Sequence, residues 1–219
     1  MNLVTSASPV FKPPSQPRFG VLKVGLTGGI ASGKSMVGAY LNELGVPTID
    51  SDDVTHELLR DDIDLKAEIR NAFGDGVFAA DGSVDRQKLG ALVFGNEAKR
   101  KQLEKLIHPK VRQKTEDFFE RHKNDKLAVN LVPLLFEANL AASYDTVWFV
   151  KVTKKQQIQR LMKNRGMTRK EAEARIASQM SLREKLKALK KLTSYAVIDN
   201  GGTVEKTKAQ VDSLVSPYK

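Results

Sequence analysis

Five short runs of aliphatic, β-branched and aromatic residues punctuate the chain: Val21–Leu26, Val46–Asp50, Lys126–Val132, Thr146–Val152 and Tyr195–Asp199. Each has the length of a strand, and turn residues follow several of them, as at Pro133 and at Asn200–Gly201–Gly202. Between the runs, apolar positions recur at helical rather than alternating spacing. Met36, Val37, Tyr40, Leu41 and Leu44 form one such stripe, closed by Gly45 where a helix C-terminus favours glycine. A last helical stretch follows the fifth run and reaches about Val215. Strands that alternate with helices predict an α/β fold with a parallel five-stranded sheet and crossover helices.

Two intervals hold more than a crossover needs. Between the second and third runs lie about seventy residues of helical pattern, including "RQKLGALVF" and "KRKQLEKLIHPKVRQKTEDFFERH". Residues 53–124 are therefore expected to be a helical insertion that supplies a second substrate surface. Between the fourth and fifth runs, "NRGMT" reads as a turn where one helix ends and another begins. Residues 158–191 are expected to form a helical lid, leaving 21–52, 125–157 and 192–219 as the core. Residues 1–20, ending "FKPPSQPRFG", are rich in Pro and Ser and lack the apolar core of a secretory signal. They are expected to be a disordered extension; their basic residues and lack of acidic ones leave an organellar-targeting segment as the alternative. No internal repeat is apparent.

The first strand leads into "LTGGIASGKSMVGAYL", in which Gly28, four residues, then Gly33, Lys34 and Ser35 satisfy the P-loop pattern. Strand, glycine loop and helix arrive in the required order. Such a loop turns successive backbone N–H groups onto a polyanion, and the helix N-terminus adds its positive dipole end. Gly29, Ile30, Ala31, Ser32 and Gly33 are the cradle. Lys34 is expected to reach the β- and γ-phosphates, and the Ser35 hydroxyl to be a Mg²⁺ ligand. The core is thus expected to be of the P-loop nucleoside triphosphate hydrolase type, and insertions on both sides of the loop point to a phosphotransferase.

After the second strand comes Asp50–Ser51–Asp52–Asp53. In open parallel sheets ligands bind beyond the carboxyl ends of the strands. A carboxylate there can align an attacking hydroxyl and accept its proton. Asp53 is read as the charge at the helix start, and Asp52 as the functional group. Glu137, just past the third strand in "NLVPLLFEANL", is either a polar tip at the site edge or a surface residue.

Charge sharpens this picture. The 219 residues carry a formal net charge of +10. Residues 151–191 hold fourteen Lys or Arg against Glu171, Glu173 and Glu184, so the rest of the chain is close to neutral. A local basic segment fits a local anion, with the other lysines on solvated helical faces. It does not fit general nucleic-acid binding, which for single strands uses interleaved aromatic and basic residues. There is no cysteine, which excludes disulfide scaffolds, thiolate metal sites and thiol nucleophiles and is compatible with a cytoplasmic setting. No apolar run of about twenty residues is present, so no membrane span is expected.

The segments "VGLTGGIASGKS", "VPTIDSDDVTHELL", "LEKLIHPKV", "VPLLFEANL", "QIQRLMKNRGMTRKEAEARIASQM" and "YAVIDNGG" stand in the order and spacing of dephospho-coenzyme A kinases. The chain resembles that family over roughly residues 22–215. The resemblance implies transfer of the ATP γ-phosphoryl group to the 3′-hydroxyl of dephospho-CoA, giving CoA and ADP in the last step of coenzyme A biosynthesis. It implies that the insertion is an acceptor (CoA) domain and the basic segment a mobile lid. It makes Asp52 the catalytic base, residues 28–35 the holders of ATP and Mg²⁺, and Arg160 a group that stabilises transferred charge. Asn200 would sit where the family meets the adenine. His108 matches a motif residue that is either functional or a structural hydrogen-bonder. The expected partner is the small-molecule substrate, with no nucleic acid and no membrane, in a monomer or weak oligomer.

Some positions depart from the family pattern. The lid arginine, Arg165, stands one place late, before Gly166. Thr193–Ser194 replace a frequent Ala-Asp, and the preceding stretch is long, so a longer outer lid helix is expected. The third strand has no acidic metal residue. The alternative functions are another small-molecule or nucleoside monophosphate kinase and, more distantly, a non-enzymatic nucleic-acid-binding P-loop protein.

Overall fold

A computed structural model describes residues 11–12 and 20–219. Among these, one compact unit comprises the described residues up to Thr48 together with Arg121–Lys219, and a second comprises Ile49–Glu120.

The first unit is built on β1 (Phe11–Lys12), β2 (Leu22–Gly28), β4 (Leu127–Leu131), β5 (Thr146–Lys151) and β6 (Tyr195–Asp199); with β3 (Thr48–Asp50), where the second unit begins, the sheet order is β1-β6-β5-β2-β4-β3. β2 pairs in parallel with β4, Leu22 opposite Leu127, and with β5, Leu26 opposite Trp148. β5 pairs in parallel with β6. The sheet has one strand more than the sequence predicts. Phe11–Lys12, in the segment expected to be disordered, pairs antiparallel with β6, where an edge strand offers unpaired backbone groups. The rest of that expectation falls on residues 1–10 and 13–19, outside the described residues.

Alternation along β5 shows how the layers form. Trp148 and Val150 join Leu22, Val24, Leu26 and Ile198 in a cluster with Val37 and Leu41 of α1 (Lys34–Glu43) and Val211 and Leu214 of α9 (Val204–Val215). Val147 and Phe149 face the other way, onto Val132, Leu135, Phe136 and Leu189. The hydroxyl of Tyr40 donates to Asp212 at 2.8 Å and joins α1 to α9.

Between β5 and β6 run α6 (Lys154–Arg165), α7 (Arg169–Ala177) and α8 (Leu182–Leu189). α6 ends where expected, at Gly166 with φ 63°. The single longer outer helix does not form. Ser181 and Glu184 make a capping box that starts α8 afresh after a turn at 178–181. Leu186 and Leu189 of α8 pack against the sheet, so this part of the expected lid is a layer of the core.

The second unit contains α2 (Ser51–Asp61), α3 (Ile63–Phe73), α4 (Arg86–Val93) and most of α5 (Glu97–Arg121). Val54, Leu58, Leu65, Ile69, Phe78, Leu89 and Ile107 form its core. Aspartates start three helices: Asp50 accepts from the N–H of Asp52, Asp62 from Leu65, and Asp85 from Gln87 and Lys88. Each such cap is worth about 1 kcal/mol. Among the described residues no helix is long and apolar enough to cross a membrane.

Candidate phosphate-binding site

β2 lies between β5 and β4, at the point where the strand order turns back, and the glycine loop leaves its carboxyl end. The loop closes on itself through the N–H of Ser32, which donates to the carbonyl of Gly29 at 3.0 Å. It then takes two left-handed steps, Ala31 at φ 56° and Gly33 at φ 95°. Gly33 is also the N-cap of α1, which has no side-chain cap and no acid in its first turn. The positive end of the helix dipole is thus left for an anion. Lys34 and Ser35 open the helix, Lys34 half-buried and Ser35 exposed.

The loop is held by its carbonyls. Ile30 accepts from Nε2 of Gln157 at 2.8 Å. Ala31 and Ser32 accept from Nη1 of Arg160 at 3.2 and 3.1 Å, and Ser32 also accepts from Nδ2 of Asn200 at 2.7 Å. In a planar trans peptide the N–H points opposite to the carbonyl, so this outer grip turns the N–H groups of Ala31 and Gly33 to the other side. The N–H of Ile30 donates to Oε1 of Gln179 at 2.9 Å. Left-handed backbone at Ala31 costs about 1–3 kcal/mol, and the guanidinium on its carbonyl offsets part of that.

Arg160 and Gln157 reach the loop together because they stand three apart on one face of α6. α6 is fixed by the Thr153–Gln156 capping box, and Nε2 of Gln156 donates to the carbonyl of Gly201 at 2.7 Å. Nη2 of Arg160 donates to the carbonyl of Asn200 at 2.7 Å. Asn200 is 5% exposed, and its Oδ1 accepts from the Thr207 hydroxyl at 2.9 Å. Expected beside the adenine, the Asn200 side chain is committed to the loop and to α9. Burial tends to raise the carboxyl of its neighbour Asp199. The N–H of Gly201 and the Lys151 ammonium outweigh that and hold it below the usual range.

The structure therefore brings Gly29–Ser35, Arg160 and Asn200 together. Asp52 and Asp53 belong to the second unit, in the first turn of α2. Since Asp50 takes the cap, the Asp52 carboxylate is not needed for it. His108 lies exposed on α5, and Arg165 is the exposed last residue of α6. Of the fourteen basic residues in 151–191, all but Lys151, Arg160 and Lys185 are exposed, as solvated helical faces require. Gln157 and Gln179 are absent from the sequence expectations; the spacing of Gln157 from Arg160 was the available signal for the first.

Among the described residues no group of three or more His, Cys, Asp or Glu could hold a metal. A hard cation that keeps several waters and binds mainly through phosphates fits the Ser35 hydroxyl at a helix start without such a group.

Residues 22–206 match a family model described as dephospho-CoA kinase. A dephospho-CoA kinase of Geobacillus kaustophilus is 43% identical over 199 residues, covering 90% of this chain and 96% of the relative. One from Shouchella clausii is 42% identical over 193 residues, 87% and 95% of the two chains. Among solved structures, a Thermus thermophilus protein superposes with a TM-score of 0.78 at 28% identity, covering 91% of this chain and 99% of its own. The dephospho-CoA kinase of Campylobacter jejuni does so with 0.65 at 25% identity, covering 89% and 95%.

Proposed function

Because the chain belongs to the dephospho-CoA kinase family, we propose that it transfers the γ-phosphoryl group of ATP to the 3′-hydroxyl of dephospho-CoA, yielding CoA and ADP. The observation that carries this reading is the gripped loop. Three consecutive carbonyls, at Ile30, Ala31 and Ser32, are held from outside, ahead of a helix N-terminus with no side-chain cap.

In this reading the loop and the start of α1 hold the triphosphate, and Lys34 neutralises charge on the β- and γ-phosphates. The Ser35 hydroxyl would hold Mg²⁺, which would supply further charge neutralisation when bound. Asp52 aligns the 3′-hydroxyl and takes its proton as the new P–O bond forms and the bond to the β-phosphate oxygen breaks. A loose transition state asks more for alignment than for a strong base. Arg160 keeps the loop in its binding shape. We assign acceptor recognition to the helical unit Ile49–Glu120 and closure over the nucleotide to the end of α6 beyond Arg160 and to α7, which must exclude water as a competing acceptor. We assign the reaction to the cytoplasm and to a monomer or weak oligomer that acts on a small molecule rather than on nucleic acid.

The product identifies the reaction. Phosphorus and proton spectra of the mixture from Mg-ATP and dephospho-CoA should show a new phosphomonoester on the ribose 3′-oxygen. A phosphate at any other position, or none, contradicts the assignment.

A further inference from the structure

Glu137 and Lys185 form an ion pair that the reaction above leaves unused. Lys185 stands on α8 one turn before the fully buried Leu189, and its side chain is 2% exposed. Its Nζ lies 2.9 Å from Oε1 of Glu137, close enough for an ion pair though without the alignment of a hydrogen bond. Glu137 follows Leu135 and Phe136, whose burial against the sheet fixes the turn that carries it. The same Oε1 accepts from the N–H of Met180 at 3.1 Å.

A buried charge pair is a poor way to gain stability, because desolvation cancels much of the attraction; hydrophobic side chains of similar volume do as well. What the pair does supply is position. Glu137 fixes Met180, and Lys185 fixes the start of α8 on the other side of the same turn. Gln179, next to Met180, then presents Oε1 to the N–H of Ile30 at 2.9 Å. The opposite side of Ile30 is held by Gln157 at its carbonyl. Beside this link lies a cavity of about 40 Å³ lined by Gly29, Ser32, Gln157, Gln179, Met180 and Lys185. The Ser32 hydroxyl is buried there without a hydrogen-bond partner. The link is therefore incompletely packed on that side.

We propose that Glu137 and Lys185 are positioning residues for the phosphate loop: by fixing the 179–181 turn they let Gln179 hold Ile30, and ATP affinity depends on them although they act only through Gln179. The reading of the loop as an ATP site underlies the last clause; the hold on Ile30 does not depend on it.

The test uses three variants of the full chain: Gln179→Leu, the double Glu137→Gln/Lys185→Met, and the triple that combines them. The double removes both buried charges at nearly constant volume, and Gln179→Leu alters a half-buried side chain, so the fold has two independent chances to survive. Amide hydrogen exchange is followed at Ile30 and, as an internal reference, at Trp148 and Val150 in β5. With the reference amides unchanged, Gln179→Leu and the double should each speed exchange at Ile30 about tenfold and raise the KM for ATP about tenfold, with kcat within about threefold. The triple should be no worse than the double, because all three break one link. Unchanged Ile30 protection in either folded variant overturns the proposal, as do additive effects in the triple. If the wild-type chain bound no ATP, the functional reading would fall, while exchange at Ile30, measured without nucleotide, would still decide the positioning role.

Discussion

The amide nitrogen of Asn200 fills the space that a side chain at Gly33 would need. A Cβ on Gly33 would overlap Nδ2 of Asn200. Asn200 cannot swing aside cheaply, because Nδ2 is bonded to the Ser32 carbonyl and Oδ1 to the Thr207 hydroxyl. The turn after β6 is thus a mould for the end of the glycine loop. The asparagine that resemblance assigns to the nucleotide base holds the end of the glycine loop.

Gly33→Ala should therefore fail twice, through the contact with Asn200 and through the left-handed φ of 95°. The combined penalty is about 2–4 kcal/mol. Calorimetry should show ATP affinity lower by about thirtyfold or more, with a reduced Tm. An unchanged affinity would mean that the mould is not tight.

Arg160→Lys tests whether this residue grips the loop or only supplies charge. One ammonium cannot span the carbonyls of Ala31, Ser32 and Asn200 that the guanidinium reaches with two nitrogens. Steady-state kinetics should show KM for ATP rising and kcat falling together, with kcat/KM down by about 10–100-fold. A fall in kcat alone, with KM preserved, would favour the role that the resemblance implies for Arg160, acting on transferred charge.

In the helical unit, Asp62 couples stability to acid. Burial tends to raise its carboxyl, but the N–H of Leu65 and the ammonium of Lys110, 3.0 Å away, hold it below the ordinary range. A carboxyl lowered by folding adds stability that is complete above its unfolded value of about 3.9 and is lost as pH falls through its folded value. Asp62→Asn should cost about 1 kcal/mol at neutral pH in urea unfolding, and the difference should shrink below about pH 4. A difference that does not change with pH would rule out the ion pair as its source.

Much of this was legible in the residues. The strand–loop–helix order around Gly28–Ser35 and the helical insertion follow from apolar period and glycine placement, which are local properties. The six-stranded sheet did not follow, because Phe11–Lys12 adds to β6 through backbone groups that carry no sequence signature. Nor did the allotment of partners. Arg160, Gln157, Gln179 and Asn200 converge on the loop from three separate segments, and only folding sets which atoms meet. Glu137 shows the same limit. Its position past a strand end was plain, but its choice of Lys185 among fourteen basic residues rests on which face of α8 meets the sheet.

Release of ADP from Mg-ATP tests the central claim most directly, with dephospho-CoA, AMP, CMP, shikimate and no addition as the five acceptor conditions. The account predicts fast release with dephospho-CoA and only background in the other four. Equal or faster release with another acceptor, or background throughout from folded protein that binds ATP, would contradict it.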